Sequence, residues 1–142
     1  APGVCIFAKE CGHAGVMEFN GDVYACDHFV FPEYKVGNIY SNSLMEMMYS
    51  PKQINFGKDK YQTLPQQCNR CKYKFACWGE CPKNRIIESK DGEPGLNYLC
   101  EGYYKFFDHI APYMDFMKNE LDNKRAPANI MEAIKNGSFR VK

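Results

Sequence analysis

The clearest alternation of apolar and polar positions lies between Gly15 and Cys26, GVMEFNGDVYAC. Val16, Met17, Phe19, Val23 and Tyr24 flank Asn20-Gly21, a dipeptide suited to the paired positive φ values of a type I′ turn, so a β-hairpin is expected. Its second strand delivers Cys26 and Asp27 at its end, beside the incoming Cys11. The next stretch, HFVFPEYKVGNIY, is aromatic but interrupted by Pro32 and Gly37, and reads as a loop. Ser43 suits the N-cap of a short helix through LMEMMYS, with Leu44, Met47 and Met48 on one face. A second short helical piece is expected from Pro51 to Phe56, proline being tolerated in a first turn. SKDGEPG is turn chemistry, with Gly92, Pro94 and Gly95. From Asn97 to Asn123 the apolar positions recur at helical spacing: Leu99, Tyr103, Phe106/Phe107, Ile110, Tyr113/Met114 and Met117. Pro112 should kink or divide that helix. NKRAPANIMEAIKNG predicts a last short helix ending at Gly137.

Composition narrows the classes. The chain has 142 residues, 45% of them hydrophobic, which suits an ordered domain rather than a disordered tail. Its net charge is +1, without the basic excess usual in nucleic-acid clamps or binders of acidic membranes, so neither partner is expected. No apolar run is long enough for a membrane span, and the opening residues APGVCIFAKECGH lack a signal peptide's basic segment and apolar core. The absence of a starting methionine suggests a piece cut from something longer.

Cysteine changes the picture most. There are eight: Cys5, Cys11 and Cys26, then Cys68, Cys71, Cys77, Cys81 and Cys100. Cys68 to Pro82 reads C-x2-C-x5-C-x3-C-P. Thiols this close in sequence suit metal ligation better than mutual disulfides, which need Cα atoms within about 7 Å and matching Cβ directions. A ferredoxin run of similar form sends its fourth cysteine to a different cluster from the first three. Eight thiolates make two sets of four, enough for two [4Fe–4S] clusters or two zinc ions, and spacing alone does not separate these.

The full pattern resembles a known family. Cys11-x9-Gly21-x4-Cys26, then Cys68-x2-Cys71-x5-Cys77-x3-Cys81, then Cys100 is similar to the seven-cysteine pattern of SPASM domains, the auxiliary-cluster modules of many radical S-adenosylmethionine enzymes. The extra Cys5 and the phrases GDVYACDHFVFPEYKVGNI, CKYKFACWGECPKNR and CEGYYKFFDHIAPYMDFM most resemble the anaerobic sulfatase-maturating enzymes. The resemblance implies an α+β fold: a small irregular SPASM domain over residues 1–101, with a β-hairpin, short helices and cysteine-ligated clusters, followed by a helical extension over 102–142. It implies two [4Fe–4S] clusters, one on Cys5, Cys11, Cys26 and Cys81, the other on Cys68, Cys71, Cys77 and Cys100. Zinc or empty sites are the alternatives for an isolated fragment.

The same resemblance implies a parent that oxidises a cysteine or serine of an unfolded sulfatase segment to formylglycine. S-adenosylmethionine and a third [4Fe–4S] cluster would belong to that parent's own N-terminal barrel. The C-x3-C-x2-C triplet this chemistry needs is absent here, since Cys81 is followed three residues later by Asn84, so the chain alone should be inactive. Its partners would be that barrel and the sulfatase peptide, and reduced thiols imply a cytoplasmic setting. Other readings are a SPASM domain of another peptide-modifying radical enzyme and a structural module with two four-cysteine zinc sites.

By resemblance Asp27 is the base that takes the substrate's proton, a role for which burial would raise its pKa; otherwise it caps a turn. His13 and His28 are surplus to eight cysteine ligands, and His109 is expected to pack or face solvent. Trp78 is expected to shield a cluster, and the charges of KNRIIESKDGE to form a solvated face. The aromatic positions after Asn97 read as core packing or docking onto another domain rather than base stacking.

Overall fold

The computed structural model describes residues 3–140, so residues 1–2 of the expected range 1–101 and 141–142 of the expected range 102–142 lie outside it. It is an α+β chain of two compact units, Ala1–Cys100 and Glu101–Lys142.

The first unit opens on a 3₁₀ turn at Cys5–Phe7, then the strands β1 (Val16–Met17) and β2 (Asp22–Tyr24). They pair antiparallel with Val16 opposite Tyr24 and Met17 opposite Val23. The connecting turn differs from the type I′ expectation. Gly21 N–H donates to Glu18 O at 2.9 Å and Glu18 N–H to Asp22 O at 2.8 Å, and Gly21 has φ +83° while Asn20 does not have positive φ. This is a three-residue loop closed by a glycine bulge, a common hairpin solution. The stretch expected as loop contributes a third strand, β3 (Lys35–Asn38), entered through a 3₁₀ turn at Pro32–Tyr34. β3 pairs antiparallel with β2, and Val23 and Ala25 are buried beneath the sheet. Periodicity could not show β3, because Pro32 and Gly37 mask a strand held by its neighbour and by Asn38 donating to Asp22 at 2.8 Å.

Ser43 caps α1 (Leu44–Met48) through a complete capping box: Glu46 N–H donates to Ser43 Oγ and Ser43 N–H to Glu46 Oε2. Of the expected face only Met47 is fully buried. The next helix, α2 (Pro51–Gln62), runs six residues beyond the expected Phe56. Its buried residues are Gln53, Gly57 and Lys60, at helical spacing but without an apolar side chain among them, so hydrophobic periodicity could not find its end. Then come α3 (Gln66–Asn69), α4 (Lys74–Cys77), a 3₁₀ turn at Pro82–Asn84, and a small hairpin of β4 (Ile87–Glu88) and β5 (Pro94–Leu96) around the SKDGEPG turn. Phe29, Tyr34 and Phe56 meet edge-on with centroids 4.8–5.7 Å apart, and Leu64, Tyr73, Cys81 and Leu96 complete the buried apolar set.

The second unit is carried by α5 (Cys100–Asp122), which begins at the last residue of the first unit, and α6 (Asn129–Lys135). Pro112 does not divide α5. Side-chain contacts span it, His109 lying 5.8 Å from Tyr113 between ring centroids. Phe139 packs on Tyr113 and Phe116, and Gly137 ends α6 with φ +74°. Buried Glu120 accepts a two-pronged contact from Arg125 and a 2.6 Å bond from Asn129.

Candidate metal centre

α2 is the scaffold for the N-terminal cysteines. Gln53 donates through Nε2 to the carbonyls of Gly12 (2.7 Å) and Ala25 (3.0 Å), fixing the neighbours of Cys11 and Cys26. Gly57 lies directly against Cys11: a Cβ there would sit 2.5 Å from Cys11 O, and Cys11 N–H donates to Gly57 O. Lys60, 1% exposed, donates to the carbonyls of Cys5 (2.5 Å) and Ile6 (2.9 Å). One helix face made of an amide, a bare Cα and an ammonium therefore holds three cysteine-bearing segments by their backbone.

A second device separates Cys77 from Cys81. Trp78, Gly79 and Glu80 take successive left-handed conformations, φ +48°, +69° and +55°. Only the glycine adopts this freely, and a left-handed turn at ordinary residues costs about 1–2 kcal/mol each. Arg85 holds the turn in place. Its guanidinium donates to the carbonyls of Gly79 (3.0 Å), Trp78 (2.9 Å) and Glu80 (3.3 Å), and across to Lys60 O (2.7 Å). Below the turn the buried carboxylate of Glu80 accepts from Asn84 and Asn97. Arg85 thus corrects the expectation that KNRIIESKDGE is a solvated face throughout.

Electrostatics sorts the thiols. All eight cysteines are free. Burial pushes the Cys11 thiol up to about 11, and negative charge at Cys81 and Cys5 adds to the rise. Cys26 is likewise pushed up to about 11, by burial first, with Cys81 contributing, and Cys81 itself is raised by burial and in part by Cys5. On the other side, burial raises Cys68 to about 11 with Cys100, Cys77 and Cys71 adding to it, and Cys77 is raised by burial and by Cys71. By these mutual influences the thiols fall into two groups, Cys5, Cys11, Cys26 and Cys81 and, separately, Cys68, Cys71, Cys77 and Cys100. Two charges influence members of both groups: Arg85, which lowers Cys11 and Cys68, and the Glu80 carboxylate, which raises Cys77 and Cys81.

Asp27 departs from the expectation of burial. It is exposed, accepts a bond from the Cys26 thiol at 3.2 Å, and is held below the usual carboxylate range chiefly by that bond. His28 is closer to the sulfurs than a surplus residue need be: its Nδ1 lies 3.3 Å from Cys81 Sγ, and ligand atoms of Cys26, Asp27 and His28 all fall within 4.8 Å of one another. Its adjacency to Cys26 was the only sign in the sequence. His13 lines an apolar cleft with Met17, Ile39, Leu44 and Met48. Trp78 is half-buried, with Lys9 and Lys74 ammonium groups 5.9 and 5.6 Å from its ring centroid.

This donor set fits metal–sulfur ligation. Thiols raised to about 11 keep their protons at neutral pH unless a metal displaces them. Protonated, they leave buried Lys60 and half-buried Arg85 among neutral sulfurs with only carbonyls for partners, whereas metal-bound thiolates supply the missing negative charge.

Residues 9–72 match the family model of the SPASM iron–sulfur cluster-binding domain. The chain is 70% identical over 140 residues, 99% of its length, to a serine-type anaerobic sulfatase-maturating enzyme of Bacteroides thetaiotaomicron. By these matches the chain is similar to the SPASM domain of that enzyme family. A serine-type relative from Klebsiella pneumoniae is 35% identical over 82% of the chain, and a cysteine-type relative from Clostridium perfringens 31% over 80%. Among solved structures, native anSMEcpe with bound AdoMet and Kp18Cys peptide matches 78% of the chain with TM-score 0.65 at 30% identity. The chain spans about a third of the length of these proteins, 34% of the Bacteroides relative and 30% of the anSMEcpe chain. No described helix is long and apolar enough to cross a membrane.

Proposed function

We propose that this SPASM domain holds two [4Fe–4S] clusters and works within an enzyme that oxidises a sulfatase serine or cysteine to formylglycine. The ligands are Cys5, Cys11, Cys26 and Cys81 for the first cluster and Cys68, Cys71, Cys77 and Cys100 for the second. What carries the reading is the division of eight free thiols into two mutually interacting fours, together with the iron–sulfur family match. Residues 1–101 form the cluster domain and 102–142 a helical extension. The partners are the enzyme's S-adenosylmethionine-cleaving domain, with its own cluster, and an unfolded sulfatase peptide; the setting is cytoplasmic. Neither nucleic acid nor membrane has a role.

Oxidising the substrate's Cβ removes a hydrogen atom, a proton and an electron, and the hydrogen atom would go to the 5′-deoxyadenosyl radical that the S-adenosylmethionine-cleaving domain supplies. Clusters bound here supply one-electron acceptors. Asp27 takes the proton. Its carboxylate is exposed and ionised at neutral pH, next to the first set of thiols. The bond that holds its pKa down comes from the Cys26 thiol, so a Cys26 thiolate no longer donates it and the carboxylate becomes a better base.

Anaerobic metal analysis tests the ligand reading: about eight irons and eight labile sulfides per chain are expected from two four-thiolate clusters, and a colourless chain with two zinc ions overturns it. In the full-length enzyme, Asp27→Asn should keep the iron and lose most formylglycine formation on both seryl and cysteinyl peptides. Undiminished yield removes Asp27 from the mechanism.

A further inference from the structure

Two cations lie among these thiols, Lys60 buried and Arg85 half-buried, and neither has a carboxylate partner among the described residues. Lys60 is spent on the carbonyls of Cys5 and Ile6. Arg85 is spent on the carbonyls of Lys60, Trp78, Gly79 and Glu80. Burying a cation against neutral carbonyls alone is costly, and such a residue ordinarily faces an anion. Their reach is unequal. Lys60 acts on Cys5, Cys11 and Cys81, all of one set. Arg85 acts on Cys11 and Cys81 of that set and on Cys68 and Cys77 of the other. Its position follows from the turn it organises, since Trp78–Glu80 is the short connection between a cysteine of each set and the guanidinium lies against all three of its carbonyls.

We propose that Arg85 is a counter-charge shared by both cluster sites, and Lys60 one private to the site of Cys5, Cys11, Cys26 and Cys81. This rests on the two-cluster reading above. A [4Fe–4S] group on four thiolates carries two negative charges when oxidised and three when reduced. A fixed cation nearby stabilises the reduced form more, and raises the reduction potential. Lys60 therefore biases electron uptake toward the first site, while Arg85 lifts both sites together and stands between them.

The test is an anaerobic redox titration of the iron-loaded chain, followed by electron paramagnetic resonance, with iron and sulfide assayed alongside. Lys60→Gln and Arg85→Gln keep a neutral donor for the carbonyls, and Arg85→Lys keeps the charge without the fork. Lys60→Gln should lower one of two reduction steps, by roughly tenfold in equilibrium constant or about 59 mV for one electron. Arg85→Gln should lower both steps, and Arg85→Lys should restore most of each. A purely structural Arg85 would cost iron content and leave the potentials of the loaded fraction where they were, which overturns the shared role. Where Arg85→Gln holds no iron, Lys60→Gln carries the test: a shift in one step supports the proposal, and a shift in neither or in both overturns it. A wild-type chain that takes up no iron overturns the cluster reading and the counter-charges with it, whereas a loaded wild type with unshifted variants overturns the counter-charges alone.

Discussion

Gly57→Ala probes the contact on which the first cysteine set depends. The new Cβ would lie 2.5 Å from Cys11 O and 3.4 Å from its carbonyl carbon. The atom it meets is backbone, so no side chain can swing aside, and either α2 or the Cys11 segment must retreat by about an ångström to reach ordinary contact distance. Overpacking of this kind costs about 1–3 kcal/mol. The Cys11 N–H bond to Gly57 O is lost with it, another ~1 kcal/mol. Alanine returns up to about 1 kcal/mol through helix propensity. The expected net loss is about 1–3 kcal/mol, confined to the first unit, with Cys11 displaced from its partners. Gly102→Ala is the control: it is also helical, nothing lies within 4 Å of its Cβ, and it should gain up to about 1 kcal/mol. Urea unfolding of the iron-loaded chain under anaerobic conditions measures both. Trp78, the single tryptophan, reports the first unit by fluorescence, cluster absorbance reports ligand loss, and far-ultraviolet circular dichroism of the helices reports the second unit, which holds Gly102. A Gly57→Ala chain as stable as wild type with full iron content would refute the tight α2–Cys11 contact.

Ser43→Ala removes the Oγ that accepts from Glu46 N–H, leaving the Ser43 backbone bond to Glu46 Oε2, and should cost about 1 kcal/mol, seen as a lower urea midpoint in Trp78 fluorescence. Arg125 first, then Asn129, hold Glu120 down from 4.5 to about 2. The stability this adds is present above pH 4.5 and is lost as pH falls through about 2, so helical signal from the second unit should weaken across that window and Glu120→Gln should flatten the dependence. Removing iron with a chelator should speed hydrogen exchange and proteolysis in residues 1–100 more than in 101–142, because the thiols that tie the first unit together lose their common ligand. Equal loosening of both stretches would count against metal-coupled folding.

Features that depend on a few adjacent residues were legible in the sequence. Closely spaced cysteines suggest ligation whatever surrounds them, and Ser43 caps its helix because the capping bonds close within four residues. The helical spacing of Leu99 to Met117 survives as α5, since propensity over many residues outweighs one internal proline. Asn20-Gly21 marked the hairpin but not its turn, because the register of Met17 with Val23 decides how many residues the loop holds.

What the tertiary structure alone decided are the features made between distant segments. β3 exists because β2 offers its edge, which no local pattern in HFVFPEYKVGNIY reports. The second half of α2 is buried through Gln53, Gly57 and Lys60, residues that look solvent-facing until the carbonyls they hold are seen. Arg85 reads as one more surface charge, yet four carbonyls from Lys60 to Glu80 converge on it and keep three successive residues left-handed. Sequence spacing can count thiols and suggest that they bind metal. Which thiols act on one another, and which cations lie among them, depends on directions set by contacts tens of residues apart.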